Sequence, residues 1–180
     1  GFSLVEILVV ITIIALLMTF GFGAMQNAME TGRVLDCKDN LRQVGQGMIT
    51  YKNIRTKGRW PREGGIRFLL TLYKDQQITG RDVECFICPG TPNVYNDEGP
   101  SGELGSSYDD WEAITSDSTS YAGRDIENFP IRGSDDAAEV IASDDNEYGG
   151  NHKTVTNILF GNGEVVQFDG PVLELLTESR

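Results

Sequence analysis

The side chains with chemical potential in this chain are few and widely separated. Cys85 and Cys88 form a C-x-x-C, with Cys37 well upstream. One such pair, in a sequence with a single histidine, is a weak signal for a zinc ribbon or a redox dithiol. That histidine, His152, has no nucleophile elbow, phosphate-binding loop or paired metal-ligand motif beside it. It reads as a hydrogen-bonding structural residue near a turn, and the chain reads as a non-enzyme. The run Asp144-Asp145-Asn146-Glu147 offers the oxygen ligands that calcium takes, without EF-hand spacing; a solvated acidic loop is the simpler reading. The remaining residue of interest is Glu6, the one ionisable side chain in residues 2–25, FSLVEILVVITIIALLMTFGFGAM.

The element that carries Glu6 gives it meaning. At ~1.5 Å per residue, a helix over this run is long enough to cross the ~30 Å hydrocarbon core of a bilayer. An ionised carboxylate inside it costs ~2.5 kcal/mol or more unless it reaches the interface or finds a partner. An ordinary signal anchor with its acid among the headgroups is the plainer alternative. A secretory signal fits worse, because no basic residues precede the apolar run.

Beyond the apolar run the helical pattern continues without a proline. Val34, Cys37, Leu41, Val44, Met48 and Tyr51 recur at steps of three and four, which places them on one stripe. Polar residues such as Asp36, Lys38, Asp39, Arg42 and Gln46 fill the other face. Residues 1–53 are therefore expected as one long helix, with 1–25 apolar and 26–53 amphipathic and docked on a body. Gly21 and Gly23 weaken the join by ~1 kcal/mol each relative to Ala.

Residues 54–180 are expected as a globular head. A short helix is predicted over Ile66–Lys74, with Phe68, Leu69, Leu72 and Tyr73 on one face. Residues 89–136, rich in Gly, Ser, Pro, Asp and Asn, suggest loops with occasional strands. Glu139–Ala142 and Val155–Phe160 are β-like, and Gly161-Asn162-Gly163 is a reversing signal that returns Glu164–Phe168 as the second strand of a hairpin. Pro171–Leu176 is expected as a short terminal strand or helix. The fold class is α+β: a long N-terminal helix packed by its second half on a small antiparallel sheet with long loops.

A net charge of -12 repels phosphate and argues against nucleic acid as a partner. The charge is segregated, with basic residues concentrated between Lys38 and Arg81 and acidic ones between Asp82 and Gly150. Two solvated faces are the plain explanation. In a polymer such bands would attract across a subunit boundary and repel in the wrong register.

Gly1-Phe2-Ser3-Leu4-Val5-Glu6 resembles the start of type IV pilins and the pseudopilins of type II secretion. His152, followed after nine residues by Asn162-Gly163, is similar to the H-x9-D-G signature of a group of prepilin-type proteins, with Asn162 in place of Asp. Cys37-Lys38-Asp39-Asn40-Leu41-Arg42-Gln43, Cys88-Pro89 and Ser120-Tyr121-Ala122 also resemble that group, so the likeness extends over most of the chain.

The resemblance implies a pilin-like fold and a structural role. A prepilin peptidase would cut between Gly1 and Phe2, and the amine of Phe2 would be methylated. Glu6 would neutralise the terminal amine of a neighbouring subunit, a compensation that makes a buried carboxylate tolerable. The chain would wait in the bacterial inner membrane, meet an assembly platform there, and join identical subunits in an extracellular pilus-like filament. The alternatives are a major pseudopilin in a periplasmic pseudopilus, or a membrane-anchored binding module that does not polymerise. No cofactor is expected except calcium on Asp144, Asp145 and Asn146, since major pseudopilins bind calcium in a C-terminal loop. An exported chain with three cysteines is expected to hold one disulfide; Cys37 with Cys88 is the favoured pair, although the connectivity is not legible in the sequence.

Overall fold

The computed structural model describes residues 1, 3–90, 108–115, 118–131, 137–146, 149–152 and 155–170; the side chains of 20–24, 145–146 and 149–150 also lie outside the description. Phe2 and the segment Pro171–Leu176 are among the residues not described.

Helix α1 spans Leu4–Thr50. Its start is set by Glu6, whose Oε2 accepts the Ser3 N–H at 2.8 Å and so satisfies a donor that the first turn leaves without a partner. Where the sequence predicts one helix to residue 53, α1 ends three residues sooner and widens into a π turn, Tyr51–Arg55. Lys57 and Gly58 then take positive φ of 55° and 91°, which turns the chain back. The helical backbone runs unbroken through Gly21 and Gly23.

Every described side chain of α1 from Ser3 to Met29 is exposed, and burial sets in at Val34. Val34, Cys37, Leu41, Val44 and Met48 are buried, and Tyr51 packs half-buried at the edge of the same core. Two glycines let the body close on α1 from both sides. A Cβ on Gly45 would lie 2.7 Å from Cδ1 of Leu159, and one on Gly47 would lie 2.9 Å from Cδ1 of Leu72. Both distances are below ordinary carbon contact, so a side chain at either position would have to displace the tip of a packed leucine.

Helix α2, Ile66–Lys74, buries Phe68, Leu69, Leu70 and Leu72. Tyr73, expected on the buried face, lies at its margin and donates its hydroxyl to Asp109 at 2.8 Å. The strands are β1 (Ala122–Gly123), β2 (Val140–Ser143), β3 (Asp145–Asn146), β4 (Gly149–Gly150), β5 (Val155–Phe160) and β6 (Val165–Asp169). They form a four-stranded antiparallel sheet ordered β1-β2-β5-β6 and a separate β3-β4 ladder. The protein is thus α+β. The hairpin turn lies at the expected residues: Gly163 takes φ +84°, the Asn162 side chain accepts the Glu164 N–H at 2.9 Å, and β6 begins one residue after the predicted Glu164. Likewise β2 starts at Val140 instead of Glu139.

Among the described residues no helix is long and apolar enough to cross a membrane.

Candidate functional site

Two features stand apart from an ordinary small domain. One is the free-standing half of α1. From Leu4 to Met18, twelve large apolar side chains are between 45 % and 80 % exposed, with Ile14 the least and Leu4 the most. They surround the helix instead of forming one stripe, so a single groove on a partner cannot cover them. Covering each is worth on the order of 1 kcal/mol, so their sum is comparable with the whole stability of a typical domain, ~5–15 kcal/mol. A surface of this kind requires apolar surroundings on every side. Glu6 sits on this segment, and the one described hydrogen bond of its carboxylate is the local one from the Ser3 N–H.

The other feature is buried where α1 meets the body. Cys37 from α1, Cys88 from the loop after the 3-10 segment Gly80–Phe86, and His152 from the turn before β5 bring their ligand atoms within 4.8 Å of one another. Cys88 Sγ lies 3.3 Å from His152 Nε2. Asp144, following β2, turns its Oδ2 to 3.4 Å from Cys37 Sγ and 3.6 Å from His152 Nε2. All four residues are buried, with exposures of 0 % for Cys37, 1 % for Asp144, 2 % for Cys88 and 4 % for His152.

Each group is held from behind. The Asn157 backbone N–H donates to Asp144 Oδ1 at 2.8 Å, and its side-chain amide donates to Oδ2 at 2.7 Å. Asn151 donates to the Asp144 carbonyl and to the Ser120 carbonyl. His152 Nδ1 faces Glu30 Oε1 at 3.3 Å, the Gly90 N–H points at Cys88 Sγ at 3.3 Å, and Cys37 Sγ lies 3.4 Å from the Tyr121 hydroxyl.

These contacts split the two facing thiols. Burial pushes Cys37 far above the usual thiol range, reinforced by Cys88 and by the Asp144 charge. The hydrogen bond from Cys37 draws Cys88 below that range against the opposing effect of burial, with help from His152 and the Gly90 N–H. The cluster therefore favours a thiolate at Cys88. Burial is the largest influence on His152 and opposes its charge, yet the facing Cys88, Asp144 and Glu30 raise it overall. Burial also raises Asp144, against its bonds from Asn157. Cys85 points elsewhere and is an inert buried thiol, pushed up to about 12 by burial.

The expected disulfide between Cys37 and Cys88 is not formed; all three cysteines are free thiols. The structure brings the pair together, but as members of a cluster that also holds His152 and Asp144. Of the three expected calcium ligands only Asp144 has a described side chain; those of Asp145 and Asn146 lie outside the described residues. Asp144 is turned inward and engaged by Asn157, because an unpaired carboxylate at that depth would be costly, so its oxygens do not face solvent as an acidic loop would place them. Asp145 and Asn146 pair by backbone with Gly150 and Gly149. His152 lies within hydrogen-bond range of Cys88 and Glu30, and Asn162 with Gly163 serves the hairpin turn; Glu30 and Asn157 are not singled out by sequence.

Part of the basic band is neutralised inside the chain. Arg55 forks onto Asp75 at 2.7 and 2.9 Å, and Lys74 reaches Glu63 at 3.3 Å. Searches against family models, curated proteins and solved structures find no match to this chain.

Proposed function

We propose that the protein is a structural subunit of a type IV pilus-like filament, held by its apolar leading helix in a membrane before assembly and by sister helices afterwards. The observation that carries this reading is the free-standing half of α1, apolar around its whole circumference from Leu4 to Met18 and extended in sequence by further apolar residues to Met25. Lipid covers such a rod on all sides, and so does a bundle of identical rods. Because lipid is already apolar, the gain on assembly comes from close packing and polar pairing between helices rather than from leaving water. Glu6 supplies the pairing: its carboxylate gives up or shares the Ser3 N–H and takes the terminal amine of an adjoining subunit. The α+β body, anchored on the second half of α1, forms the outer shell.

The test is Glu6→Ala in cells that make the protein, with surface material sheared off and membranes fractionated. Loss of the protein from the sheared fraction with normal membrane retention is expected. Undiminished fibres from the variant would refute the pairing role, and wild-type protein found solely in the membrane would favour an anchored module.

A further inference from the structure

We infer that Cys37, Cys88, His152 and Asp144 form a closed structural zinc site that pins the leading helix to the body. A tetrahedral zinc ion takes sulfur at ~2.3 Å and nitrogen or oxygen at ~2.0–2.2 Å, which separates neighbouring ligand atoms by ~3.3–3.8 Å. The observed edges are 3.3 Å from Cys88 Sγ to His152 Nε2, 3.4 Å from Cys37 Sγ to Asp144 Oδ2, and 3.6 Å from His152 Nε2 to Asp144 Oδ2. These three edges fall in the range that an ion between the groups would impose, and the ligand atoms of Cys37, Cys88 and His152 all lie within 4.8 Å of one another.

The donors match in kind as well as in distance. Two sulfurs with an imidazole select zinc over calcium or magnesium, which prefer oxygen alone. The surroundings match too. A metal-bound imidazole commonly presents its other ring nitrogen to a carboxylate, and Glu30 Oε1 lies 3.3 Å from His152 Nδ1. Asn157 fixes the carboxylate of Asp144 with two hydrogen bonds, and the Gly90 N–H is aimed at one sulfur. Among the described residues no lysine or arginine forms an ion pair with Asp144 itself, and Arg33 stands 3.9 Å from Glu30, so a divalent cation would supply the charge that the acidic cluster lacks.

Burial of all four residues leaves no open coordination position, so the site is structural rather than catalytic. It joins segments that are distant in sequence: α1 through Cys37, the loop after Phe86 through Cys88, the end of β2 through Asp144 and the entry to β5 through His152. A metal there would stabilise the docking of α1 and hold Cys37 and Cys88 as thiolates, out of reach of oxidation.

The full chain, purified in detergent without chelator, should carry one zinc per molecule by elemental mass spectrometry. Cys37 and Cys88 should resist alkylation until a strong chelator is added. Cobalt added to the stripped protein should give a thiolate-to-metal absorption and intense visible bands of a four-coordinate ion. Cys88→Ser and His152→Asn should each cut zinc content at least tenfold, whereas Cys85→Ser should leave it unchanged. If those variants fail to fold, the cobalt spectrum of the unmutated chain decides. A folded chain with Cys37 and Cys88 joined as a disulfide, failure to take up zinc or cobalt, or a zinc content that depends on Cys85 would each overturn the assignment.

Discussion

Glu30 and His152 are 122 residues apart in sequence, yet Oε1 of the first lies 3.3 Å from Nδ1 of the second. Glu30 sits on α1 about one turn before burial begins at Val34, so it ties the point where the helix leaves the body to the turn that feeds β5. Its carboxylate is partly exposed and also lies 3.9 Å from Arg33, which limits what the contact is worth. Glu30→Ala should lower stability by about 1 kcal/mol, read as a shift in the urea midpoint. A shift beyond error in the stabilising direction would show that the contact does not hold the helix.

Because the described side chains before Glu30 make no buried contact with the body, removing residues 1–25 should leave the body intact. The shortened chain should be monomeric without detergent by sedimentation and should melt cooperatively. In that background Leu41→Ala, which truncates a side chain with no exposed surface, should cost on the order of 3 kcal/mol, and Leu8→Ala in the full chain should leave the body's stability unchanged.

Asn157 is the residue on which the buried carboxylate of Asp144 depends, since it gives both a backbone and a side-chain donor at 2.8 and 2.7 Å. Asn157→Ala removes the second donor and leaves a buried acid short of a partner, at a cost of about 2–3 kcal/mol. The conservative Asn157→Asp should be worse, because it places a second carboxylate against the first. Chemical denaturation of the three proteins would rank them; an Asp variant as stable as the parent would contradict the hydrogen-bond assignment.

The pair Arg55–Asp75 gives a dependence on pH of known sign. The hydrogen bond from Arg55 holds Asp75 below the usual carboxylate range. A depressed folded pKa means stability that is present above the unfolded pKa of ~3.9 and is lost as pH falls through the folded one. Asp75→Asn should therefore melt slightly lower than the parent at pH 7, and the gap should close at pH 2. A gap that persists unchanged at pH 2 would remove the ion pair as its cause.

Local pattern made much of this fold legible. The stripe Val34, Cys37, Leu41, Val44 and Met48 could be placed because a helix returns to one face every three or four residues, and the β5–β6 hairpin because Gly161-Asn162-Gly163 accepts a sharp reversal. The end of α1 was not legible, since nothing in Tyr51–Arg55 breaks a helix and the π turn depends on packing. The cluster was legible only in fragments. Cys37 and Cys88 stood out as a bridge, Asp144 as a calcium ligand and His152 as a turn residue, and no spacing connects four residues drawn from four separate segments. Glu30 and Asn157 were hidden among polar helix positions and within a strand. In β5 the burial of Asn157 between buried Thr156 and half-buried Ile158 was the one available signal, and it appears only once the strand is paired.

An image reconstruction of fibres sheared from the producing cell tests the proposed role most directly. It should show a central bundle of continuous helices built from residues 4–25, bodies outside, and Glu6 beside the terminal nitrogen of a neighbour. Fibres whose core lacks these helices, or that place Glu6 against water, would contradict it.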